Sequence, residues 1–221
     1  MSEGKQVEGG RLLKAVQAVA ISPSDAKRFV EAQRTQLKKG NPKASKNRIA
    51  ELTADKIVSR YTYLATTSGA MTALPGVIPG IGTAIAVGTA LGDATLCMKF
   101  QVDMCLCLAV AFDYDISNED AYHLAFLIAS GSALEKSGAA AATQIASKAG
   151  VKMLKQYLKG ATLVAVKEFF KKLGITFTRK ALEKALPFGI GVVIGGGANY
   201  ALTKYVGKQA KSWFIIDRDE A

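Results

Sequence analysis

From Tyr61 to Gly92 the chain runs for 32 residues, YTYLATTSGAMTALPGVIPGIGTAIAVGTALG, without one Lys, Arg, Asp or Glu. On a helix, Gly80, Ala84, Gly88 and Gly92 fall on one side, and Gly82, Ala86, Ala90 and Ala94 form a second row of small residues beside it. Two such rows let a neighbouring backbone approach closely. Within the stretch, Leu74-Pro75-Gly76-Val77-Ile78-Pro79-Gly80 breaks the helical pattern twice, because each Pro restricts the residue before it and each Gly permits a sharp reversal. The pattern predicts a helical hairpin with an apolar tip.

Upstream, residues 11–20 fit a short helix. Ser22-Pro23-Ser24-Asp25 reads as a cap followed by Pro in the first turn of a helix to about Lys39, and Gly40-Asn41-Pro42 stops it. Apolar residues at Ile49, Leu52, Ile57, Tyr61 and Leu64, three to five apart, predict the next helix from about Pro42 towards Ser68. After the hairpin a long central helix is expected over 81–111, then a turn at 113–115. Ser117-Asn118-Glu119-Asp120 reads as a capping box opening a helix to about Glu135. Further helices are expected over 139–159, 160–173 (stopped by Gly174), 178–186 and 189–214. The start of the last, Pro187-Phe188-Gly189-Ile190-Gly191, echoes Pro79-Gly80-Ile81-Gly82, and Gly191, Gly195 and Asn199 share a stripe. The two thin-sided helices are expected to pack face to face, Gly80, Gly88 and Gly92 against Gly191 and Gly195.

The predicted architecture is therefore all-α: a single-domain helical bundle built around the glycine-rich hairpin and the glycine-rich C-terminal helix. Residues 1–60 supply basic helices that pack on the body, 61–214 form the body, and 215–221 a tail. Scarce aromatics and abundant Ala and Gly agree with thin, closely spaced helices rather than a β-sandwich. Spanning a bilayer takes about 20 continuous apolar residues. Pro75 and Pro79 interrupt the uncharged stretch, and residues 185–203 hold Gly and Asn, so a packed or conditionally inserting hairpin is preferred to a stable span.

Charge changes the picture by its distribution. The net charge is +11. Residues 1–60 carry 13 basic and 6 acidic groups, 61–135 carry 1 and 7, and 136–186 carry 11 and 2. Two basic blocks bracket an acidic, apolar centre, which suits an anionic partner. Nucleic acid is the weaker choice, because the blocks are Lys-rich and hold few aromatics to stack bases. Anionic membrane lipids or a membrane protein complex fit better, with Lys152, Lys155, Lys159, Lys171 and Lys172 as headgroup contacts and Leu74, Pro75, Val77, Ile78 and Pro79 at the apolar tip.

The chemistry of common sites is missing. One histidine, His123 in AYHLAFLIA, reads as a core polar residue and rules out multi-His metal sites. Gly189-x-Gly191-x-x-x-Gly195 follows a basic helix rather than a strand, so it does not read as a dinucleotide loop. Asp113-x-Asp115-x-Ser117 begins like a calcium loop, but Asn118 stands where Gly belongs and Leu124 where the bidentate Glu belongs. Cys97, Cys105 and Cys107 sit in one apolar helix and read as free thiols packed as small hydrophobes. The N-terminus lacks an apolar core of the secretory type, which places the protein in the cytoplasm, on the inner face of the cell membrane. Asp93 and Asp103, ten residues apart on the central helix, are polar core candidates together with Asn199. Lys99, Asn199 or the Lys-rich helices could pair them, and they are the only carboxylates an enzyme could use here. No catalytic residue, cofactor or metal site is assigned.

The Gly-Pro hairpin and long helix with Gly92-Asp93, the helix end Ala109-Val110-Ala111-Phe112-Asp113-Tyr114-Asp115, and the closing Pro187-Phe188-Gly189-Ile190-Gly191-Val192-Val193-Ile194-Gly195-Gly196-Gly197-Ala198-Asn199-Tyr200 together resemble the EcsC family. Val206-Gly207-Lys208-Gln209-Ala210 and Trp213-Phe214 continue the likeness, which covers about 61–214. Phe112-Asp113-Tyr114 departs from an expected aromatic-Gly pair, and Asp217-Arg218-Asp219-Glu220 lacks doubled basic residues. The resemblance implies an all-α bacterial protein linked to transport or secretion, and it transfers no catalytic residue. The expected function is that of a non-enzymatic peripheral membrane protein. The alternatives are a soluble adaptor and a conditionally inserting, pore-forming protein.

Overall fold

Local sequence starts and stops each helix of the bundle. The structure is a computed structural model that describes Val16, Ala18 and residues 20–66, 93–136, 145–158 and 195–220. Its six described elements are α1 (Pro23–Gly40), α2 (Lys46–Thr66), α3 (Asp93–Ala111), α4 (Glu119–Lys136), α5 (Lys148–Leu158) and α6 (Gly195–Asp219), and there is no strand among the described residues. The fold is all-α.

Ser22 caps α1 by accepting the Asp25 amide at 3.1 Å, with Pro23 in the first turn. The α1–α2 link turns at Asn41, whose carbonyl takes the Ala44 amide, and Ser45 then accepts the Arg48 amide at 3.2 Å. So α2 starts at Lys46, four residues later than the Pro42 expected from sequence, because the turn uses Pro42 and a serine cap follows it. At α4 the capping residue is Asn118, which accepts the Ala121 amide at 3.0 Å. Ser117 is not free for that role, since its amide and hydroxyl both go to Asp115. Of the helix expected over 139–159, the described part is helical from Lys148: residues 145–147 form a turn, and Ser147 caps the helix through the Gly150 amide. Conversely α6 runs on to Asp219, so residues 215–219, read from sequence as a tail, are helical and partly packed on the core.

Partner contacts give the directions. Arg218 meets Glu51, Lys211 meets Asp55, and Gly207 lies against Val58, so α6 runs antiparallel to α2. Lys46 meets Asp113 and Tyr61 meets Cys107, so α2 is antiparallel to α3. Glu135 and Lys136 reach Tyr205, so α4 ends beside the middle of α6. The end of α2, the start of α3 and the start of α6 thus share one end of the bundle, while α5 meets the last turn of α6 at the other. At the other end Phe112, Tyr114, Trp213 and Phe214 form an aromatic knot with ring centroids 5.0–6.3 Å apart, where each well-placed pair adds about 0.5–1.5 kcal/mol to simple burial. Between the ends, α3 and α4 are buried nearly all round, which is why neither has a polar face.

Candidate functional site

The central helix carries the deepest charges. Lys99 and Asp103, one turn apart on α3, have fully buried side chains, and the Lys99 Nζ donates to Asp103 Oδ2. Asp103 Oδ1 accepts the Ile21 amide at 2.8 Å, and the Tyr122 hydroxyl donates to the Ile21 carbonyl at 3.2 Å. The pair therefore pins the start of α1 to α3 and α4. Burial pushes the Asp103 carboxyl up, against the opposing pull of Lys99 and the Ile21 N–H. One turn further on, Cys107 Sγ lies 3.6 Å from the Tyr61 hydroxyl. Burial lifts the Cys107 thiol to about 12, the Cys105 thiol higher still, and the Tyr61 phenol well above its ordinary value. Protonated thiols at such depth are poor nucleophiles, so this ladder holds structure rather than chemistry. Lys99, expected from the sequence as a partner for Asp103, is in place. Asp93 and Asn199 lie in the first turns of α3 and α6, with side chains outside the described ones.

At the end of α3, Asp113 sits at φ 65°, a left-handed conformation that Asp tolerates better than most residues. The Arg34 guanidinium of α1 donates to the Val110 and Ala111 carbonyls at 3.0 and 2.8 Å and to Asp113 at 2.6 Å, while Lys46 meets the other Asp113 oxygen at 2.8 Å. Arg34 therefore closes the carbonyl end of the central helix. Partial burial pushes the Asp113 carboxyl up, but Lys46 and Arg34 outweigh it and hold it below the usual carboxylate range. Asp115 is turned onto Ser117, which lowers it as well. The groove of ≈ 420 Å³ here, lined by Lys27, Glu31, Arg34, Val110, Asp113, Tyr114 and Asp115, has its charged groups already matched in pairs. The Asp-x-Asp-x-Ser run serves turn geometry and ion pairing, and no group of three possible metal ligands occurs among the described residues. Replacing Arg34 with Met should cost about 2 kcal/mol in urea unfolding, because two carbonyls and one carboxylate lose a charged donor at once.

On α5, Val151 and Leu154 are buried while Lys148, Lys152 and Lys155, at i, i+4 and i+7, lie outward on one stripe. Lys152 and Lys155, named from sequence, thus share a face. Lys148 meets Glu220 at 3.3 Å, and Lys155 meets Asp217, whose side chain is only 4% exposed. The other contacts named from sequence (Leu74, Pro75, Val77, Ile78, Pro79, Lys159, Lys171 and Lys172) lie outside the described residues. So do Gly80, Gly88, Gly92 and Gly191, while Gly195 opens α6, and the expected face-to-face glycine packing falls outside what is described.

The structure adds residues that pattern reading missed. Tyr63 and Tyr200 are 62% and 42% exposed, the large exposed hydrophobics among the described residues. Because α2 and α6 are antiparallel, both lie toward the end of the bundle where α2 stops and α6 starts. Lys204 lies 5.2 Å from the Tyr200 ring centroid and donates to its hydroxyl at 3.2 Å. Gly207, absent from the predicted small rows, marks the close approach of α6 to α2 and α3: a Cβ there would stand 2.7 and 2.9 Å from the Val58 methyls and 3.1 Å from Met104 Sδ. His123 is buried. No described helix is long and apolar enough to cross a membrane. No family model, curated protein or solved structure matches the chain.

Proposed function

We propose that the protein is a non-enzymatic, membrane-peripheral helical protein of EcsC type that docks reversibly on an anionic lipid surface, or on a complex embedded in one. The carrying observation is α5: its apolar side is seated on the bundle while Lys148, Lys152 and Lys155 form one straight cationic stripe. Each lysine close to an anionic bilayer contributes about 1 kcal/mol, so such a stripe with its neighbours supports reversible attachment without any spanning segment. The basic block over 136–186 supplies further positive charge in the same part of the sequence.

Flotation with vesicles containing or lacking phosphatidylglycerol tests the reading. The protein should rise with the anionic vesicles, fall away in high salt as screening shortens the reach of the lysines, and ignore neutral vesicles. Replacing Lys152 with Gln should weaken attachment about fivefold without loss of fold, since one exposed charge of about 1 kcal/mol is removed. Protein that stays at the bottom of the gradient with anionic vesicles sinks the reading.

A second reading, a soluble adaptor, is favoured by exposed Tyr63 and Tyr200, because tyrosines are enriched where proteins meet. In that case a partner would be lost on replacing the two tyrosines and not on replacing the lysines. Release of an entrapped dye from the vesicles would instead favour an inserting, pore-forming protein.

A further inference from the structure

The α5 stripe is not fully available in this conformation. Lys155 is engaged by Asp217, a carboxylate from the buried side of α6, and Lys148 by Glu220 one turn further on. A lysine that turns to a lipid phosphate must give up its carboxylate. For Lys148 the cost is small, because its side chain is 83% exposed and Glu220 can take up water. For Lys155 it is not, because Asp217 would be left as a buried, unpaired anion. That state is relieved by a proton.

We propose that Lys155 exchanges the buried Asp217 carboxylate for a phospholipid phosphate, and that the exchange takes up one proton, so that docking through α5 is strengthened by mild acid. This inference rests on the anionic-surface reading and names its regulation. The partner is a bilayer rather than a single anion because three lysines along one helix face present charges in a row to a plane. The charged groups around Asp217 are consistent with the exchange. From α5 it faces Lys155, with Lys148 nearby through Glu220; on its own helix it faces Glu220. Its neighbours Arg218 and Asp219 are occupied with each other, and Arg218 also with Glu51 of α2. Burial first, and the charge of Glu220 second, push the Asp217 carboxyl up to about 6.

The sign follows from linkage. Burial and Glu220, without help from a lysine, account for the value of about 6, and pairing with Lys155 opposes them, so docking takes up a proton as pH falls to and below about 6 and takes up none well above it. Affinity for phosphatidylglycerol vesicles, whose phosphate stays ionised throughout, should therefore be higher at pH 5 than at pH 7.5, by up to about tenfold, and should level off above about pH 7. D217N should bind at pH 7.5 as tightly as the unaltered protein binds at pH 5, with no pH dependence left. H123N should keep the pH dependence, His123 being the chain's single histidine. Should D217N fold poorly, the unaltered protein still reports: its sole tryptophan, Trp213, lies one turn from Asp217, and its emission should follow the same titration and shift to higher pH when vesicles are added. Attachment that does not vary between pH 5 and 7.5, or a pH dependence that survives in D217N, overturns this inference and leaves the docking reading standing. Failure to float at every pH overturns both.

Discussion

Replacing Lys99 with Met should destabilise the protein by about 3–5 kcal/mol, enough to remove much of the stability of an ordinary domain. Lys99 is the only Lys or Arg between Tyr61 and Glu135, and its ammonium lies fully buried against Asp103. Methionine fills similar space but leaves Asp103 as an anion in a dry interior, with the Ile21 amide as its remaining hydrogen-bond partner among the described residues. The carboxyl must then either carry that penalty or take a proton. A carboxyl whose folded pKa rises further above 3.8 contributes stability at low pH and loses it as pH rises through the folded value. The deficit of K99M should accordingly shrink as pH is lowered towards 4. In K99M/D103L most of the loss should return, save about 1–3 kcal/mol for the Ile21 N–H left without an acceptor. Urea midpoints across pH measure all three quantities, and a K99M cost below about 1 kcal/mol would show that the pair is not dry.

The next largest effect is expected at Gly207. Valine there places new carbon where a Cβ alone already comes within 2.7 Å of a Val58 methyl, and Val58 is β-branched and held in one helical rotamer. Helices α2 and α6 would have to separate, at a cost of about 3 kcal/mol or somewhat more. Alanine is a gentler probe. It adds up to about 1 kcal/mol of helix propensity while forcing the same Cβ contact, so G207A should lie near neutral or mildly destabilised. In a cycle with V58A, which clears the methyls, the coupling should be about 1–2 kcal/mol in favour of the double variant. Independent effects at the two positions would mean that α6 does not approach α2 at this point.

These two positions illustrate unequal legibility. Lys99 and Asp103 could be flagged from the sequence, because two charges one turn apart inside an apolar helix must either pair or be exposed. Gly207 was equally visible as a letter, on the same four-residue register as Gly191, Gly195 and Asn199, but Asn199 and Thr203 interrupt the small residues before it, and only the crossing of three helices gives it a role. Arg34 likewise looked like one more cation on a basic helix until α3 ended beside it. The boundaries moved for local reasons. A serine after a Pro turn captured the start of α2, Asn118 capped α4 because Asp115 had taken Ser117, and Ser147 capped the start of α5 inside a segment that the sequence pattern reads as one helix.

What the sequence determined by itself was the class of structure and the inventory of chemistry. Helical spacing of apolar residues, cap signals, a single histidine and an uneven spread of lysines are properties of order and composition, and they survive any way of packing the helices. What the tertiary structure decided was partnership: which carboxylate Lys155 meets, which glycine bears a crossing, which tyrosines face outward. Partnership depends on distances across the core between residues 50 to 150 positions apart, and on burial, which turns the same Asp–Lys contact from a minor surface pair into a strong constraint on fold and protonation. Those quantities exist only once the helices are docked.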